Sequence, residues 1–213
     1  MSSGEPSPAA VRGARRREQT RTTVLDAAER LMVTLPPAEI RIEQVAEGSG
    51  VSVASIYVHF GNKDGLIAAV LERLLQVAGD TLARAYAAAE RPFDQIIATG
   101  LAYLDLLLDR PALAVHLTLS GMTEPTSETA RLVSQRMDAL RQQFEDRIRA
   151  SIEAGEIAPI DAHSMSYFLF GAWNGVASFA LRRDQLALSR DEVFAAVRTA
   201  SRAMAVGITR PRK

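Results

Sequence analysis

Apolar positions recur at spacings of three and four along most of the chain, and alternating β-branched runs are scarce. That periodicity predicts amphipathic helices rather than strands. A first helix fits residues 18–35, with Val24, Ala27, Ala28, Leu31 and Met32 on one face and Pro36-Pro37 stopping it. A second, short helix carries Ile42, Val45 and Ala46 and ends at Gly48-Ser49-Gly50, where glycine can take the left-handed conformation of a sharp exit. Ser52 is placed to cap a third helix running to Phe60, and Asn62 to cap a fourth running toward Ala89. Beyond Pro92 the pattern predicts helices over 93–109, 111–120, 128–154, 161–183 and 191–208, separated by proline- and glycine-containing breaks. The expected fold is all-α: a three-helix N-terminal domain with a helix-turn-helix, a long connecting helix and a larger C-terminal bundle. The domain reading is a flexible basic arm over 1–17, a helix-turn-helix domain over 18–66, and a larger helical domain over 67–213.

Composition narrows the chemistry. Of the 213 residues 47% are apolar, enough for a sizeable core, and the absence of cysteine excludes disulfides, thiolate metal sites and a cysteine nucleophile. No signal-peptide pattern and no membrane-length apolar run is present, so a cytoplasmic protein without membrane attachment is expected. Lys plus Arg and Asp plus Glu both number 25, so net charge favours no partner, but Arg12, Arg15, Arg16, Arg17 and Arg21 stand together against Glu18 alone. The basic run reads either as a solvated leader or as a nucleic-acid arm.

The stretch EQVAEGSGVSVASIYVHFGNKDGL, residues 43–66, joins two short helices through a glycine-containing turn, the signature of a helix-turn-helix. Val45, Ala46, Val51, Ile56 and Phe60 supply a miniature core, which leaves Val53, Ala54, Ser55, Val58 and His59 on other faces. Val58 has no reason to be apolar on a solvated surface unless something touches it. Tyr57, His59 and Lys63 bring a phenol, an imidazole and an ammonium together beside a helix N-terminus, as phosphate contact requires.

Together with VLDAAERLM, this stretch resembles the tetracycline-repressor (TetR) family of transcriptional regulators, over about residues 21–66. The resemblance implies that Ser52 to Phe60 is the recognition helix. It further implies that Tyr57, His59 and Lys63 hold phosphates, that Val53, Ala54 and Ser55 read bases, and that Arg41, Glu43 and Gln44 add phosphate or base contacts. Proline in TLPPAEIRIEQ and Arg41 near the second helix's cap depart from the family pattern. An arginine cannot accept from backbone N–H groups, so a different cap is expected there.

The segment 161–183 is apolar nearly all round, as a helix serving both a domain interior and a subunit interface would be. The resemblance pairs it with the last helix, through Val193, Phe194, Val197, Met204 and Ile208, in the four-helix bundle of a homodimer. Tyr103, His116, Met122, Met137, Phe144, Tyr167, Phe170, Trp173 and Asn174 are the candidates to line an effector pocket. Each is also a plausible core residue. His116 and His163 lack a second ligand at metal spacing, no catalytic or cofactor motif is found, and neither metal nor cofactor is expected. The function expected first is a repressor that binds a palindromic DNA operator as a dimer and is released by an apolar small molecule. A helical interaction module comes second and an enzyme third.

Overall fold

The computed structural model describes residues 7–119 and 128–208. Among them the elements are α1 (Pro8–Leu31), a 3-10 turn (Pro37–Glu39), α2 (Ile42–Ser49), α3 (Val53–Phe60), α4 (Lys63–Ala87), α5 (Pro92–Asp109), α6 (Pro111–Leu119), α7 (Glu128–Glu153), α8 (Ala162–Ser178), a 3-10 turn (Phe179–Leu181) and α9 (Arg190–Ile208). The chain divides into two compact units, Met1–Leu71 and Glu72–Lys213, with the division inside α4.

In the first unit, α1 packs on α2 and α2 on α3. Val24, Ala28, Ile40, Val45, Ile56, Leu66 and Val70 are fully buried between them. Burying side chains of this size stabilises by roughly 1.5–3 kcal/mol each, which is how short helices that would not form alone are held. The start of α1 corrects the sequence reading. Ser7 accepts from the Ala10 N–H at 3.3 Å and Pro8 occupies the first turn, so the helix begins well before residue 18 and carries the basic run on its exposed first turns. Its end also falls short of residue 35, at Leu31.

In the second unit α5, α7 and α8 pack on one another, α6 lies against α5 and α8, and α9 contacts α8 and α5. Glu156 binds the start of α5 to the turn after α7. It accepts from Arg91 Nε and the Phe93 N–H, each at 2.8 Å, and from Ser151 Oγ at 3.3 Å. A second tie joins α7 to α8. Arg141 Nη1 donates to Glu145 at 2.7 Å and to Ser166 Oγ at 3.0 Å, and Glu145 also takes Arg149 and His163. The hydrogen bond from Arg141 holds the Glu145 carboxyl below its ordinary pKa against the opposing effect of burial. Val193 and Val197 of α9, expected to face a second subunit, are buried within this chain. Periodicity reveals an apolar face but not which molecule covers it.

Candidate nucleic-acid interface and effector cavity

Three local devices aim α3. Gly50, with φ of +69°, turns the chain out of α2 in the left-handed conformation that a β-carbon would strain. The Ser52 hydroxyl then accepts the Ser55 N–H at 3.3 Å and starts the helix. At the other end Gly61, with φ of +76°, reverses the chain, and Asn62 Oδ1 accepts the Gly65 N–H at 2.8 Å to open α4. Gly65 has a reason of its own: a β-carbon there would press into the Phe60 carbonyl, so only glycine lets the first turn of α4 abut the end of α3.

With Ile56 fully buried, Ala54, Tyr57 and Val58 fall at i, i+3 and i+4 on the exposed side of α3. Val58 is 85% exposed and Tyr57 44%. Ser52 is exposed, and Val53, Ser55 and His59 are half-buried at the edges of that face. Arg41 and Glu43 are exposed at the start of α2. Gln44 is engaged, its side-chain oxygen accepting the Arg41 N–H at 2.9 Å, which supplies the substitute cap and leaves the Arg41 guanidinium outside the cap. Lys63 Nζ donates to the Ala38 carbonyl at 2.6 Å, one of three donors an ammonium carries, and so ties the segment before α2 to the start of α4. Sequence reasoning missed one positioning residue. Arg21, grouped with the basic arm, lies half-buried with its guanidinium 4.9 Å above the Phe60 ring and fastens α1 to α3.

Residues 24–70, spanning α1 to the first turns of α4, match the family model for bacterial regulatory proteins of the tetR family. Residues 24–70 are a tetR-family domain. An HTH-type transcriptional regulator of Mycobacterium tuberculosis is 31% identical over 49% of this chain and 52% of its own length. The chain therefore spans about half the length of the first relatives that it matches. HTH-type transcriptional regulator BetI of Brucella anthropi is 29% identical over 79% of this chain and 92% of its own. The fold of the solved ketosteroid transcriptional regulator KstR2 of Mycobacterium tuberculosis is similar, with a TM-score of 0.72 at 15% identity, covering 90% of this chain and 95% of that one. The tetR family model lies within the first unit, so the second unit has to be read from its own residues.

There the expected pocket residues only partly converge. Tyr103, Met137, Phe144, Phe170 and Trp173 line one cavity, but its volume is about 30 Å³, room for a water or two. The aromatic rings fill the space themselves. Tyr103 stacks on Phe170 at 5.2 Å, Phe144 meets Trp173 edge-on at 5.2 Å, and the Tyr103 hydroxyl is held by Asn174 at 3.3 Å. Burial pushes the Tyr103 pKa upward, so the phenol stays neutral. Asn174 is spent on Tyr103 and on the Phe170 carbonyl, at 2.7 Å. Tyr167 lies outside, half exposed, with the Arg141 guanidinium 4.5 Å from its ring centre. His116 lines neither this cavity nor the larger one below, and Met122 lies outside the described residues.

The larger volume, about 320 Å³, lies on the other side of Trp173, bounded by α5, α7, α8, the turn before α8, and α9. Trp173 lines both cavities and is the partition between them. Ile96, Ile148 and Ile157 form its floor and were not among the sequence candidates. An isoleucine carries no signal in sequence that separates a cavity wall from a packed core. Among the described residues no cluster of three metal-ligating side chains occurs, and no helix is long and apolar enough to cross a membrane.

Proposed function

We propose that this protein is a cytoplasmic transcriptional repressor that reads a palindromic DNA operator as a homodimer through α3 and releases it on binding a small molecule in its second unit. The observation that carries the reading is the exposed face of Ala54, Tyr57 and Val58, held out by a buried Ile56 and a left-handed Gly50. A helix presented this way fits the major groove, with Val53, Ala54 and Ser55 toward base edges and Tyr57, His59, Lys63 and Arg41 toward phosphates. Apolar side chains at the reading positions favour thymine methyl groups and DNA shape over bidentate hydrogen bonds. A regulatory rather than catalytic role is supported by the tetR-family match over residues 24–70.

Dimer formation through α8 and α9 is supported by what those helices leave uncovered. Phe168 is 59% exposed, Val206 is 84% exposed, and a β-carbon added at Gly171 or Gly175 would meet nothing within 4 Å. An open, partly apolar face with two glycines at i and i+4 suits the close approach of a second helix. Gel shift against a pool of genomic fragments, with light scattering of the free protein, tests the reading. Salt-sensitive, sequence-selective binding by a dimer supports it, and binding that ignores sequence counts against it.

A further inference from the structure

The 320 Å³ cavity has one chemically distinct side. Its walls are apolar where Ile96, Leu101, Ile148, Ile157, Leu169 and Trp173 face it, but α9 contributes Arg198, Ser201 and Arg202 at i, i+3 and i+4. Several of the other arginines of this unit have carboxylate partners: Arg91 with Glu156, Arg136 with Glu72, Arg141 with Glu145, Arg182 with Asp184, and Arg190 with Asp105 and Asp109. Among the described residues neither Arg198 nor Arg202 has a carboxylate at ion-pair distance, and Arg198 only lies 5.9 Å from the Phe194 ring centre. Both are exposed, at the open side of the cavity, while Ile148 and Ile157 close its inner end.

From this pairing of a deep apolar void with two uncommitted guanidiniums at its mouth, we infer that the cavity binds a single-chain amphiphile with an anionic head. The alkyl chain replaces water against the isoleucines and Trp173, and the head accepts from Arg198, Arg202 and the Ser201 hydroxyl. A volume of about 320 Å³ sits at the small end of ligand pockets, which suits one medium-length chain rather than a fused-ring or two-chain molecule. The opposite face of α9, where Thr199, Ala203 and Val206 are exposed, stays free for the partner subunit. The inference deepens the effector-responsive reading above, yet its binding step needs no DNA.

The test is a titration of the 213-residue protein, without DNA, followed by the emission of Trp173, the single tryptophan of the chain. The probes are decanoate, decanoyl coenzyme A and 1-decanol. Saturable binding of at least one anionic probe is expected, about tenfold or more tighter than 1-decanol, since a charge-assisted hydrogen bond is worth at least that factor. The Arg198→Ala/Arg202→Ala variant should lose that advantage and bind the alcohol as before. Ser201→Phe, which fills the mouth, should bar all three. Preference for decanoate points to a free acid and preference for the coenzyme A ester to a phosphorylated carrier, and either supports an anionic head. Equal affinity for decanoate, its ester and decanol, unchanged affinity in the double variant, or a double variant that falls to monomers would overturn the inference. Loss of sequence-selective DNA binding in the gel shift would sink the repressor reading and leave this titration untouched.

Discussion

The backbone of α5 at Gly100 lies against the indole of Trp173, so closely that a β-carbon there would come within 2.5 Å of Cζ2 and 3.0 Å of Cε2. The absence of a side chain at one position thus sets where the partition between the two cavities stands. Gly100→Ala gains about 1 kcal/mol of helix propensity and incurs overpacking of about 1–3 kcal/mol. Net destabilisation by up to roughly 2 kcal/mol is expected on that balance, with a shifted Trp173 emission maximum as the ring swings toward one cavity. Urea unfolding and the emission spectrum of the same sample check both. An unchanged spectrum would mean that the indole is not held by Gly100.

Lys63 and Tyr57 are expected to act on phosphates rather than bases. Lys63→Ala should weaken binding to all operator variants alike and lower the salt slope by about one counterion. Tyr57→Phe should likewise weaken all variants alike, whereas Ser55→Ala should change which sequences are preferred. Because Lys63 Nζ also holds the Ala38 carbonyl, a thermal melt of the variant is needed beside the binding isotherm. An unaltered salt slope removes Lys63 from the phosphate contacts.

Much of the DNA-reading unit was legible because its determinants are local. Ser52 as a cap, Gly50 as an exit, Asn62 as the opening of α4 and Ile56 as the inward position can each be seen within a few residues. The beginning of α1 was missed because Ser7-Pro8 reads equally as disordered chain or as cap and first turn, and only continued helix decides. The α9 face was misassigned because Val193 and Val197 satisfy the same periodicity whether this chain or a second copy covers them. The larger cavity was the least legible. Aromatic residues that look like pocket lining pack against one another, and the void forms where isoleucines from distant segments fail to meet.

His116 gives the second unit a pH dependence. Its Nε2 is buried with no hydrogen-bond partner among the described residues, and burial lowers its pKa from the ordinary 6.5. As pH falls below that value the unfolded chain takes up the proton before the folded one, so stability is full above about 6.5 and declines toward the lowered folded value. The carboxylates of Glu145 and Glu156, whose folded values are depressed, lose their contribution only at more acid pH. Thermal melts at pH 7.5 and 5.5 should show a drop for the wild type that is smaller in His116→Gln. Equal drops would place the titration elsewhere.

The most direct measurement of the central claim compares wild type with Val58→Glu on a palindromic duplex selected from genomic fragments, by fluorescence anisotropy at two salt concentrations. Val58 is 85% exposed, so the substitution leaves the folded core untouched and only places a negative charge on the face proposed to enter the groove. Two chains per duplex and selectivity over a scrambled duplex are expected for the wild type. The variant should bind about a hundredfold more weakly or worse, because like charges brought together at an interface cost several kcal/mol. Wild-type affinity retained by Val58→Glu, with an unchanged melt, would contradict DNA reading through α3.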